Sequence, residues 1–459
     1  MRALTWASHR ESALTEPDES GLASTHQHAH KGVTVKRFPR TTLAVTVAGA
    51  ASFALVMSGC SAGAGTEQSA DKNVKLTVAT FNEFGYDDLF GEYEKANPNV
   101  TITHKKAATS NEARDNLTTR LAAGSGLSDV EAIEVDWLPE LLKYSDQFVD
   151  LTSDDVKDRW LDWKAKAATD ADGRLIAYGT DIGPEGVCYR SDLFAAAGLP
   201  TDRAEVAKLL GTSWDSYFAA GKTFAAAGTN VPWFDSAGAT WQGVVNQIPN
   251  AYEKKDGTII ATENPEVKAA YTSVLDASST LSAHLGQWSD DWTASFQNNG
   301  FATMLCPGWM LGVISGNAEG VTGWDVADTF PGGGGNWGGS YLTVPNQSKH
   351  QKEAQKLASW LTAPEQQLKA FASKGTFPSQ VDALKSDELL GATNPFFNNA
   401  PTGQILANRA AAVDVTPFKG EFYFAINDAM QQALTRVEDG TMTPDQSWAQ
   451  WTTDVKALG

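Results

Sequence analysis

Tryptophan is the residue type in this chain most suited to making a binding surface, and there are fifteen in 459 residues. An indole offers a flat, polarizable face and one N–H donor. That suits a ligand presenting flat C–H faces, as sugars do, although most of the fifteen are expected to serve the core. Covalent chemistry leaves less trace. No His-Glu-x-x-His metalloprotease spacing occurs. A glycosidase needs two carboxylates flanking its substrate; with 55 Asp and Glu, counting does not exclude such a pair, but no glycosidase signature is present. The four glycines at 332–335 are not followed by Lys-Ser/Thr, which excludes a P-loop. They read as a hinge or a loop of close backbone approach.

Composition narrows the classes further. The formal charge is −19 and the sequence pI about 4.8, which argues against nucleic acid, whose phosphates need a basic face. The 42% hydrophobic and 20% charged residues are globular values. Three cysteines, Cys60, Cys188 and Cys306, are too few and too widely spaced for a zinc cluster.

The N-terminus reads as an address. Lys36, Arg37 and Arg40 precede an uncharged apolar stretch at 41–57, the order of a secretory signal. Met57-Ser58-Gly59-Cys60 resembles a bacterial lipobox, in which the cysteine is lipidated and becomes the new N-terminus; Met57 stands where leucine is usual. A transmembrane anchor is the alternative, but about twenty apolar residues are needed to span a bilayer. The expected organisation is a leader at 1–59, of which 1–32, with His26, His28 and His30, fit neither signal nor fold, so that translation is expected to start downstream. A small, polar tether at 60–73 follows.

From residue 74 the pattern alternates. Strands are predicted at 74–80, 100–104 and 129–135, separated by helices at 90–97 and 111–123. This β-α-β-α-β order predicts a parallel α/β sheet. Further strands are predicted near 187–190 and 302–304. Helices are predicted near 204–210, 214–227, 265–280, 352–361, 364–373, 421–438 and 445–457, with a helix start near 308–315.

Several anchors in order carry a resemblance. They are Leu117-x3-Leu121-x2-Gly124-Ser125-Gly126-x2-Asp129-Val130; Phe296-x3-Gly300-x-Ala302-x-Met304 followed by Trp309; and Ala354-x2-Leu357-x2-Trp360-Leu361 with Pro364-Glu365-x-Gln367 and Gly375-x2-Pro378-Ser379. The chain from 74 to 459 resembles the family 1 extracellular solute-binding proteins of ABC carbohydrate importers. A narrower set of motifs is similar to the actinobacterial cello-oligosaccharide and xylobiose binding lipoproteins. These are Gly179-Thr180-Asp181-Ile182-Gly183-Pro184, Val187-Cys188-Tyr189-Arg190, Cys306-Pro307-Gly308-Trp309-Met310 and Asn336-Trp337-Gly338-Gly339-Ser340, with Gly308 standing where alanine is usual.

The resemblance implies an α/β, two-lobed periplasmic-binding-protein-like fold of type II, with a hinge of crossing segments and a ligand cleft between lobes. The lobes are expected at 74–182 plus 337–378 and at 185–332 plus 382–459. The implied function is capture of a β-linked oligosaccharide for delivery to ABC permease subunits at the extracellular face of the membrane, through a lipid anchor on Cys60. The alternatives are a secreted glycoside-active enzyme, or a binding protein for another sugar such as an α-glucoside. A non-sugar ligand such as glycerol phosphate or a polyamine would call for a strongly charged cleft. No catalysis, cofactor, metal or nucleic acid is expected, and the chain is expected to be a monomer.

In open α/β sheets, ligands bind beyond the carboxyl ends of the strands. Candidates there are Asn82 and Glu83 after the first strand, Asp136 and Trp137 after the third, and Asp181 before the crossover. From the second lobe come Trp241, Gln242, Asn246 and Trp292. Trp309 stands at a strand-to-helix turn and Trp337 in a glycine-flanked loop with Gly338 and Gly339. With Cys60 taken by lipid, Cys188 and Cys306 are left in an oxidising compartment, where pairing is expected. The alternative is two buried free thiols.

Overall fold

The computed structural model describes residues 73–459. The expected leader, the expected lipidation site Cys60 and the expected tether up to residue 72 lie outside the described residues. Among those described, no helix is long and apolar enough to cross a membrane.

The fold starts from a β-rich run whose alternate residues are apolar. In β1 (Val74–Phe81), Val74, Leu76 and Val78 are buried on one face. It pairs in parallel with β2 (Val100–Ala107) and with β3 (Val130–Glu134). The predicted parallel β-α-β-α-β unit is therefore present, with β1 in the centre. Seven more strands follow among the described residues. They are β4 (Ala177–Gly179), β5 (Asp181–Ile182), β6 (Glu185–Arg190), β7 (Thr303–Pro307), β8 (Trp324–Ala327), β9 (Ser340–Thr343) and β10 (Phe377–Pro378).

The chain leaves this first sheet after β4 and returns to it as β9. The sheet order is β2-β1-β3-β9-β4, and β9 runs antiparallel to both its neighbours. The sheet is thus mixed, not wholly parallel, because β9 arrives from the far part of the chain and enters in the opposite sense. A second, fully antiparallel sheet has the order β7-β6-β8. Between the two sheets, β5 pairs with β10 and Pro184 bridges Asn336. Three segments therefore cross side by side.

The cores follow this division. One cluster joins Leu76, Val78, Ile133 and Trp137 with Leu342, Leu357 and Leu361. Three others, built from residue 182 onward, hold Met304 and Ile314, Trp241 and Met430, and Phe194 and Trp233. The predicted helices form close to their expected limits, as at Ser110–Ala122, Trp214–Ala226, Pro265–Leu281 and Tyr423–Glu438. Of the several elements that were not expected, two have a plain physical reason. The helix Ala237–Val245 is buried on most sides, so no apolar stripe marks it. The four-residue β9 is buried throughout, so it shows no alternation.

Cys188 and Cys306 are joined, as the pairing expectation required, with Cα atoms 5.5 Å apart. The register explains the fit. Cys188 on β6 stands opposite Met304 on β7, so Cys306 lies two residues along the same face.

Candidate functional site: a tryptophan-lined cleft

The crossing segments floor a cavity of about 440 Å³, within the usual range for small-molecule sites. Strand ends build one wall. Phe81, Asn82 and Glu83 end β1, and Glu134 and Asp136 end β3. Thr109 caps the helix Ser110–Ala122 by accepting the Glu112 backbone N–H at 3.2 Å, which brings Ser110 and Asn111 to the rim. The opposite wall is Ser236, Gly238 and Gln242 at the start of the helix Ala237–Val245, with Asn427, Asp428 and Gln431 from the helix Tyr423–Glu438.

Three indoles form the end wall. Trp309 follows β7 directly and donates its Nε1–H to the Trp337 carbonyl at 2.9 Å. Its ring lies edge-to-face with Trp337 at 5.4 Å between centroids. On its other side it stacks near-parallel with Trp288, at 6.1 Å and 24°. Trp288 is one of two large hydrophobics exposed among the described residues, and its φ of 72° is a strained conformation for so bulky a side chain. The buried Asp235 braces this loop by accepting from Gln287 Nε2 at 2.8 Å and Trp292 Nε1 at 3.0 Å. Burial pushes its carboxyl up to about 6, against these hydrogen bonds.

Glycines let the floor close. A Cβ on Gly183 would stand 1.8 Å from the Trp337 carbonyl oxygen, so the two crossing strands approach only because that atom is missing. Gly339, at φ 108°, would likewise press on the Asp181 carbonyl at 2.7 Å.

The floor is rich in carboxylates. Asp181 accepts from Thr180 Oγ1 at 2.7 Å and from the Ser340 backbone at 2.9 Å; burial raises its pKa, while Lys164 opposes the shift. Burial also raises Glu134 well above the ordinary carboxylate range, with Asp136 adding repulsion. Asp136 is ion-paired with Lys419, which comes from the segment before the helix Tyr423–Glu438. Burial would raise Glu83, but Lys106 and Lys374 hold it below its usual value. Two polar atoms are left over, the acceptor Asn82 Oδ1 and the hydroxyl Thr376 Oγ1: both residues line the cavity, and both atoms are buried without a hydrogen-bond partner among the described residues. Such groups call for hydrogen-bonding partners from outside the chain.

Most of the residues expected at the site are brought together here. Asn82, Glu83, Asp136, Asp181, Gln242, Trp309, Trp337, Gly338 and Gly339 all line the cavity. Four do not. Trp137, Trp241, Trp292 and Asn246 are buried away from it. The first three spend their N–H groups internally, on Ser110, on Tyr252 and Asn427, and on Asp235. Trp137 and Trp241 sit next to the lining residues Asp136 and Gln242 in sequence but point the other way. Sequence reasoning missed Trp288, Gln287, Glu134 and the Asn427–Gln431 face. The four-residue spacing of Asn427 and Gln431 was the one available signal for a polar helix face.

With the geometry established, comparison with known proteins decides the family. The sequence pattern of the family described as bacterial extracellular solute-binding protein matches residues 88–395. The chain belongs to this family. It is 53% identical to a solved extracellular solute-binding protein of family 1, with a TM-score of 0.74 over 84% of this chain and 99% of that one. It is 28% identical over 358 residues to the arabinooligosaccharide-binding protein of Bacillus subtilis, covering 73% of this chain and 79% of the relative. An ABC-transporter-associated binding protein of B. animalis subsp. lactis, solved with beta-1,6-galactobiose, shares the fold at 22% identity, with a TM-score of 0.73 over 84% of this chain and 97% of that one. The fold is accordingly that of the two-lobed periplasmic solute-binding proteins.

Proposed function

We propose that this solute-binding protein captures a neutral, β-linked oligosaccharide of the cellobiose, cello-oligosaccharide or xylobiose class in the tryptophan-lined cavity and hands it to the permease of an ABC importer. One observation carries the reading: three indoles at one end face a shelf of carboxylates and amides across a cavity of disaccharide size. Aromatic faces take the C–H surface of a pyranose, and planar acceptors take its equatorial hydroxyls. The excess of carboxylates disfavours anionic sugars. The linkage class rests on the motifs around Asp181, Cys306 and Trp337. The Bacillus relative's name supports a second reading, an arabino-oligosaccharide.

The remaining parts of the reading rest on the order of segments along the chain and on the motifs at its N-terminus. Segments 74–182 plus 337–378 and 185–332 plus 382–459 act as lobes that close about the crossing strands. The chain works as a monomer held to the outer face of the membrane by lipid on Cys60. Calorimetry with cellobiose, xylobiose and an arabino-oligosaccharide, on wild type and on Trp309→Ala, tests the site. Tight binding by wild type with no loss in the variant would remove this cavity as the site.

A further inference from the structure

Behind the glycine wall lies a charge that the cavity does not touch. Lys164, on the helix Asp162–Ala167, is completely buried. Its stem packs against Gly179 of β4, where an added Cβ would stand 3.1 Å from Lys164 Cγ. Its ammonium lies behind Gly339, 3.1 Å from where a Cβ there would be. The Nζ sits 3.8 Å over the Tyr341 ring and has no hydrogen-bond partner among the described residues. An ammonium without acceptors is costly to bury, so its surroundings must hold charge that it serves. The charged groups facing it are Asp181 on β5, Glu134 at the end of β3, and Lys419. Asp136 is already paired with Lys419. Lys164 is thus the cation facing Asp181, and it shares Glu134 with Lys419.

We propose that Lys164 is a positioning residue of the sugar site: acting through the glycine wall, it holds Asp181 and Glu134 as charged acceptors for sugar hydroxyls and so makes capture depend on protons. This rests on the cavity being the sugar site. Both carboxylates line it, whereas Lys164 does not. Burial drives all three groups toward their neutral forms. It lowers Lys164 to about 7, against the pull of Asp181 and Glu134, and it raises both acids. A carboxylate that takes up a proton loses acceptor capacity, and hydroxyls bond most strongly to the charged form. Acid therefore opposes capture, and the cation behind the wall delays the loss.

The test compares wild type with Lys164→Met, using cellobiose, xylobiose and an arabino-oligosaccharide as probes from about pH 5 to 9, a span that brackets the Lys164 value of about 7. Affinity in wild type should fall toward acid. In the variant the fall should be centred about one pH unit or more higher, the size of shift a nearby opposite charge produces. Identical profiles would overturn the proposal while leaving the sugar site intact. Wild type that binds no probe at any pH would overturn both. A second measurement needs no sugar. A lysine whose folded pKa is depressed costs stability below that pKa, and the cost fades as pH rises toward the unfolded value. The stability of Lys164→Met relative to wild type should therefore fall between pH 6 and pH 9. A difference that does not change with pH would overturn the charged, buried state of Lys164 on which the proposal depends.

Discussion

Opening the Cys188–Cys306 bond tests how the second sheet holds Trp309 in place. The two cysteines are 118 positions apart, so reduction frees a long closed loop in the unfolded chain. For a loop of that length the chain-entropy relation gives roughly 16 cal/mol/K, or about 5 kcal/mol at 25 °C. Both side chains are fully buried. Cys→Ala at each would also remove a buried heavy atom, adding roughly 1 kcal/mol apiece on the scale of a methylene. Reduction isolates the first contribution and the double variant measures both. Urea unfolding of oxidised, reduced and Cys188→Ala/Cys306→Ala protein reads the midpoints, and the slope should rise once the unfolded chain can expand. Cys306 stands three residues before Trp309, so the unbridged protein should also bind its sugar more weakly. Equal midpoints for oxidised and reduced protein would refute this stabilisation, and equal sugar affinity would refute a brace on Trp309.

The indoles separate into two groups with opposite signatures. Trp288→Ala, Trp309→Ala and Trp337→Ala should each weaken sugar binding by roughly 1–3 kcal/mol, seen by calorimetry, with little change in melting temperature. Trp241→Ala and Trp292→Ala should cost about 3–5 kcal/mol of stability in urea titrations while the folded fraction binds normally. Burial pushes the Asp235 carboxyl from its ordinary 3.8 up to about 6. Its contribution is therefore full below the lower value and is lost as pH rises through the higher one, by about 3 kcal/mol in all. Asp235→Asn should remove that part of the pH dependence between pH 4 and 7; an unchanged slope would contradict it. Lys419→Met leaves Asp136 unpaired beside Glu134 and should cost about 3 kcal/mol; unchanged urea stability would show the pair to be idle.

What the sequence revealed depended on how local the cause was. β1 shows an alternating apolar face, and helices such as Pro265–Leu281 carry a visible stripe, so pattern alone locates them. The return of β9 to the first sheet depends on a pairing with β3 more than two hundred residues away, and no local pattern encodes that. The site followed the same rule. Strand ends and glycine-flanked loops marked Asn82, Asp136, Asp181, Trp309 and Trp337 as cleft residues, and they line it. Direction of the side chain was not legible: Trp137 follows Asp136 and turns into the core, and Trp292, four residues past Trp288 and in the helix that follows it, does the same. Trp288 itself is presented by a positive φ in a loop, a feature that residue type does not announce.

The most direct test of the central claim is a calorimetric panel on the purified wild-type protein. Cellobiose, cellotriose, xylobiose, maltose, an arabino-oligosaccharide and the parent monosaccharides would be titrated in one buffer, and the samples then examined for cleavage products. The account predicts saturable, reversible binding of a β-linked disaccharide with a Kd of about 1 µM or tighter, about −8 kcal/mol, and no products. A preference for maltose or for the arabino-oligosaccharide would move the specificity and keep the sugar-binding role. No saturable binding to any sugar in the panel, or release of smaller sugars from any of them, would contradict the account.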